Sequence, residues 1–331
     1  MTHQRTISNW LFLCAFMVFA MAVIGAVTRL TESGLSITEW KPISGALPPL
    51  GQAAWQHQFD LYKQSPEFAA KHFWMDLEDF KKIFFWEWLH RLWGRSIGLV
   101  YALPLLWFWV RKQIPSGYGW KLVALLALGG LQGFVGWFMV KSGLVDRPSV
   151  SHFRLAVHLS LALFLYAAMV WVGLDLRRSP PDRDESRMDL SRLVLAGWGL
   201  LTLLSVTIVW GAFVAGLKAG LIYNTFPLMG DGLIPPDFGS AFTAAPGVQF
   251  THRVLAMATL TGTLAYASAT RRVNRFAPYL AAMVVVQVGL GIATLLSVVN
   301  IGLATLHQAG AITLLTLALV SQHQLLNLKK I

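Results

Sequence analysis

The chain has 331 residues, 55% of them hydrophobic and only 13% charged, against about 25% charged in a typical soluble domain. That composition excludes an ordinary soluble fold and points to the membrane. Nor does the net charge of +11 imply nucleic acid as a partner, because no basic helix or aromatic-basic sheet motif stands apart from the apolar segments.

Crossing about 30 Å of hydrocarbon takes about 20 apolar residues, and eight runs qualify: 10–28, 88–110, 121–140, 152–175, 193–216, 250–270, 277–298 and 301–326. The expected fold is an all-α polytopic membrane protein with the lipid bilayer as its surroundings. An even number of spans puts both termini on one side. Lys and Arg are shared almost equally between the two sides, but the first outer loop is long enough to translocate whatever its charge. Among the short connections, 271–275 carries three Arg and 299–301 no basic residue, which places both ends in the cytoplasm. Ala20 and Ala22 form an A-x-A site behind an apolar stretch. The residues just beyond it recur later in the chain, so the stretch reads as a span and not as a cleaved signal. Cys14 is the only cysteine, so no intrachain disulfide, CxxC motif or cysteine metal centre can form.

Four pairs of matches keep their order along the chain and mark a repeat. GAVTRLTESGL at 25–35 pairs with GAFVAGLKAGL at 211–221, and EWLHR at 87–91 with QFTHR at 249–253. Gln132 and Gly136 pair with Gln287 and Gly291, and His158 with His307. A QxxxG spacing brings an amide and a small residue to one helix face. Two four-helix halves follow, 1–176 and 193–331, joined by a cytoplasmic linker at 177–192. Four spans per half insert both halves the same way up, so a pseudo-twofold along the membrane normal should relate them. The first outer loop, about 30–86, breaks the symmetry. Its stretches GQAAWQHQFDLYKQS and PEFAAKHFWMDLEDFKKIFF read as two amphipathic helices at the interface, with a lid over the N-terminal site as the alternative. His57 and His72 read as surface histidines.

Nine histidines are present, and four of them, His90, His158, His252 and His307, stand inside spans at matched positions. Ligand-type residues in hydrocarbon are costly and default to function; hydrogen bonding to a neighbouring helix is the plainer alternative. All four lie near the outer ends of their spans, so each half can face two imidazoles at similar depth. That suits haem iron, whereas a tetrahedral zinc site needs more ligands than each half offers, and copper stays open. His152, nearer the surface, reads as interfacial or as a partner of a ligand. Arg91 and Arg253 directly follow a histidine, and Arg95 lies one turn beyond the first; they could pair with haem propionates or snorkel to lipid phosphates. The tryptophans read as interfacial anchors.

Glu87 distinguishes the halves. One turn from His90, it could act as a base or stabilise positive charge, whereas its repeat partner Gln249 carries no charge. The alternative is a cap or an ion pair with Arg91 or Arg95. The N-terminal half is therefore expected to do chemistry and the C-terminal half to hold a fixed redox cofactor.

The runs GAVTRLTESGLSITEWKPISGALPP, PEF…FKKIFFWEWLHRLWGR, FTHR and LHQ resemble the haem A synthase family in its alphaproteobacterial and mitochondrial version, over nearly the whole chain. The resemblance implies an eight-span membrane oxidoreductase of haem A biosynthesis, which oxidises the C8 methyl of haem O to the formyl group of haem A by two hydroxylations and loss of water. It implies haem b (iron protoporphyrin IX) as cofactor, its iron ligated by His252 and His307. It also implies that His90 and His158 frame the haem O iron, with Glu87 as the essential carboxylate. Some bacterial members carry paired cysteines in the outer loops; this chain has none, which excludes a thiol-based role. An electron donor, the enzyme that supplies haem O, and a second copy of the chain are further candidate partners. The rival readings are a di-haem b electron-transfer cytochrome and a proton-coupled transporter built of parallel repeats.

Overall fold

The computed structural model describes residues 2–41, 44–143, 149–177 and 190–329; most of the expected linker lies outside them. The described residues form α1 (Thr2–Leu30), α2 (Gln52–Lys63), α3 (Leu77–Val110), α4 (Gly119–Gly143), α5 (His152–Leu176), α6 (Ser191–Gly216), α7 (Ala245–Thr270), α8 (Ala277–Leu296) and α9 (Ile301–Lys329). Among them there is no β-strand, only an isolated bridge between Met229 and Gly232. Six helices, α1, α4, α5, α6, α8 and α9, are long and apolar enough to cross a membrane. The chain is a helical membrane protein.

The two long helices outside that set, α3 and α7, are the ones that carry Glu87, His90, Arg91 and Arg95, and Gln249, His252 and Arg253. Their polar side chains dilute the apolar run. Sequence logic still shapes their starts: Asp76 caps α3, its carboxylate accepting from Asp79 N at 2.9 Å, and Pro246 lies in the first turn of α7, where a missing N–H costs nothing.

The chain divides into two compact units. One is Phe16–Ala162, and the other joins Met1–Ala15 to Leu163–Ile331. In the second, α6, α7, α8 and α9 pack as a ring in which each helix touches the next and α9 returns to α6. The start of α1 and the end of α5 belong to this unit through buried polar contacts. Ser8 Oγ donates to Gly173 O at 2.7 Å, Tyr166 Oη pairs with Thr316 Oγ1 at 2.6 Å, and His323 Nε2 lies 2.9 Å from Asp175.

In the Phe16–Ala162 unit, the outer loop has its own small core. α2 lies on the first turns of α3, with Phe59, Tyr62, Phe80, Ile83 and Phe84 buried together and the Phe59 and Tyr62 rings both stacked on Phe80. The second amphipathic stretch does not form a separate helix. Phe68–His72 makes one π-helical turn, the chain breaks, and Leu77 onwards is already α3. His57 is exposed, as expected, but His72 is not a surface residue: it is 6% exposed. Its Nδ1 lies 2.5 Å from the Tyr62 hydroxyl, which also donates to Glu67 Oε2 at 3.2 Å. Alternation of polar and apolar residues cannot distinguish an exposed polar residue from one buried against another polar residue.

This cluster gives the loop a pH dependence. Burial raises the Glu67 carboxyl from its ordinary 4.5 to about 7, against the pull of Lys71 and Arg29 and with some help from Glu87; burial and Lys71 lower His72 by less. Glu32 faces Lys71 and His72 at 3.9 and 3.7 Å. A carboxyl with a raised folded-state pKa takes up a proton on folding, so its contribution is complete below pH 4.5 and is lost as pH rises through about 7. His72 works in the opposite sense over a smaller range. Amide-exchange protection in α2 should therefore fall roughly tenfold between pH 5 and pH 8, and Glu67→Gln should flatten that dependence. An unchanged slope in the variant would show that another group titrates.

Candidate haem site

Each unit carries one matched pair of histidines, and each imidazole of a pair lies against a glycine on the neighbouring helix. His90 of α3 sits over Gly25 of α1, where a Cβ would come 3.1 Å from Cε1. His158 of α5 sits over Gly136 of α4, where it would come 2.8 Å away. In the other unit the same contacts recur: His252 of α7 over Gly211 of α6, at 3.2 Å, and His307 of α9 over Gly291 of α8, at 2.8 Å. At Gly136 and Gly291 a side chain would displace the ring. The glycines that mark the repeat in the sequence thus have a physical role, bringing the backbone under the imidazoles.

All four histidines are half-buried. His90 lies within electrostatic reach of His158, and His252 of His307. The histidines separate into two kinds. Gln132 Nε2 donates to His158 O at 3.1 Å and lies 3.1 and 3.3 Å from the ring nitrogens Nδ1 and Nε2. Gln287 Nε2 donates to His307 O at 2.9 Å and lies 3.1 Å from Nδ1. By contrast, Nδ1 of His90 and Nδ1 of His252 are buried without a partner. Among the described residues, no cluster of three or more His, Cys, Asp or Glu is placed to hold a bare metal ion. Two half-buried imidazoles per unit, each over glycine backbone on an apolar helix, offer the neutral nitrogen donors that haem iron takes. The ligand set suits a tetrapyrrole better than a zinc or copper ion, which would need more donors.

Residues flanking the first histidine of each pair bind the loop that follows α1 in one unit and α6 in the other. Glu87 is 3% exposed. Its Oε2 accepts from Ser36 Oγ and from Ile37 N, both at 2.7 Å, and its Oε1 pairs with Arg91 Nη2 at 2.6 Å. The ion pair is one of the alternatives the sequence left open. Three donors leave about one of a carboxylate's four acceptor sites unused. Arg91 also donates to Ile37 O at 2.9 Å and lies over Trp40. In the other unit Gln249 Nε2 donates to Tyr223 O at 3.0 Å, and Arg253 to the same carbonyl at 2.9 Å and to Pro227 O and Leu228 O at 3.3 Å. Arg95 donates to Lys41 O at 3.0 Å. His152 is half-buried against Phe153. The loops start alike: Glu32 and Lys218, at matched positions after α1 and α6, both adopt the left-handed conformation at φ 53°. This closes each helix with an αL residue.

The roles of Ser36, Ile37 and Tyr223 left no trace in the sequence. Gln132 and Gln287 did, as the repeated QxxxG, though without a stated partner.

The fold is that of a polytopic helical membrane protein, with a matched pair of histidines in each unit. A sequence model of the COX15-CtaA family, described as cytochrome oxidase assembly protein, matches residues 8–319. The Heme A synthase of Rhodospirillum centenum is 52% identical over 97% of this chain and 88% of its own length. Those of Rhizorhabdus wittichii and Caulobacter vibrioides are 47% and 46% identical over 98% and 96% of this chain, each across 95% of its own length. The chain belongs to the COX15-CtaA family, that of the haem A synthases.

Proposed function

We propose that this enzyme makes haem A, oxidising the C8 methyl of haem O to the formyl group by two successive hydroxylations and loss of water. The observation that carries the reading is the matched pair of histidine sites of which only the one in Phe16–Ala162 adds a carboxylate, Glu87 against Gln249. Haem O is the substrate of the first site, framed by His90 and His158, with Arg91 and Arg95 on the propionate side. Haem b belongs to the second, with His252 and His307 as ligands and Arg253 near the propionates; when bound it supplies one-electron redox chemistry. The half-exposed imidazoles and the glycines beneath them support both assignments.

Glu87 acts on the substrate through its one unused acceptor site, holding a proton or offsetting positive charge at the methyl carbon as it is oxidised. Arg91 and the Ser36–Ile37 segment hold that carboxylate in place, so its position is fixed before the substrate arrives. α3 and α7 complete eight spans, arranged as two four-helix repeats, 1–176 and 193–331, about a pseudo-twofold along the membrane normal. Both termini are cytoplasmic, the haem sites lie near the periplasmic face, and the membrane is the cell inner membrane. The matched glycine–histidine contacts and the shared αL closures after α1 and α6 support the repeat.

Extraction of the haems from the purified protein, with chromatography and mass measurement, tests the proposal. Haem b together with haem O, the hydroxymethyl intermediate or haem A is the expected result. Haem b alone would leave an electron-transfer cytochrome, and no haem a transporter.

A further inference from the structure

We infer that Gln132 and Gln287 are positioning residues, which fix the ring orientation and the protonated nitrogen of His158 and His307. The inference rests on the proposed reading of these histidines as haem ligands. Each glutamine lies one turn before a glycine on the same helix, Gln132 before Gly136 and Gln287 before Gly291. One helix thus holds the ring at two points, with backbone under Cε1 and an amide at Nδ1. The amide is itself anchored on the histidine's own carbonyl oxygen. His90 and His252 lack such a partner, their Nδ1 atoms being buried and unbonded. Each unit therefore has one imidazole held by a glutamine and one that is not.

Both glutamines also keep a buried Oε1 with no partner, and Gly310 on α9 is the residue whose missing side chain makes room for that oxygen at Gln287. An imidazole that gives its Nε2 lone pair to iron carries its proton on Nδ1, and ligating histidines nearly always donate that N–H to an acceptor. A half-turn of the glutamine amide brings Oε1 to Nδ1, giving up the bond that Nε2 donates to the histidine's carbonyl oxygen for the one that ligation requires. The unused oxygen is the acceptor that ligation requires, at a position where an apolar residue would do for helix packing alone.

The test uses the full-length protein with its haem b, comparing wild type with Gln287→Glu and Gln287→Leu by redox titration and haem content. A stronger acceptor at Nδ1 makes the imidazole a better donor and favours ferric iron, so the midpoint potential should fall in the order Leu, Gln, Glu. Haem affinity should drop roughly tenfold or more in the leucine variant. Should that variant fail to fold, the Glu–Gln comparison decides alone. A potential in Gln287→Glu at or above that of wild type would overturn the inference and leave Gln287 a packing residue. Haem retained in full by His307→Ala would instead overturn the underlying reading.

Discussion

On the proposed assignment, His252→Ala or His307→Ala should yield a protein purified without haem b, the pyridine haemochrome value falling to near zero. Each replacement removes one imidazole of the matched pair in the unit that Met1–Ala15 and Leu163–Ile331 form, and the ring is not easily replaced. No cluster of three or more His, Cys, Asp or Glu exists among the described residues, so no neighbouring ligand is at hand. The change is also mild for the scaffold. Gly211 and Gly291 lie beneath these rings, so alanine leaves a gap against backbone without forcing any side chain to move. An unchanged haem content in either variant would refute the assignment of these histidines.

Conversion of haem O should fall at least about 100-fold in Glu87→Gln, the usual contribution of a placed acid or base, while haem b content stays at the wild-type level. Misfolding is a weak alternative, because the matched position of the other unit holds an amide: Gln249 donates to the loop carbonyl of Tyr223 at 3.0 Å. Glutamine at 87 can keep one oxygen for Ser36 and Ile37 and loses mainly the Arg91 contact. Breaking a buried ion pair costs about 3–5 kcal/mol where the remaining charge has no other partner. Arg91 keeps the Ile37 carbonyl at 2.9 Å and the Trp40 face, so the cost here should be smaller. Full conversion by the glutamine variant would mean that Glu87 is only a clasp for the loop.

Much of the site is legible in the sequence because the membrane makes it so. A histidine in an apolar run is costly enough to stand out, and a helical repeat of 3.6 residues places Glu87 one turn from His90 without any knowledge of the fold. The repeat between QFTHR and EWLHR also reveals which residue differs between the sites. What is not legible depends on contacts distant in sequence. Ser36 meets Glu87 across 51 positions, and Gln132 meets His158 across 26. His72 reads as a surface residue because its partners, Tyr62 and Glu67, are themselves polar.

The sequence by itself determined the helical membrane class and singled out four histidines and one carboxylate as candidates, since each follows from local composition and helical periodicity. Only the tertiary structure decided what those residues touch. Glycines that merely mark a repeat became the floor beneath each imidazole, and Glu87, read as a base or as an ion-pair partner of Arg91 or Arg95, became a carboxylate bound by three donors, Arg91 among them. The outer loop became a small core with a buried acid. Packing between helices sets these partners, and packing has no period that a single chain can display.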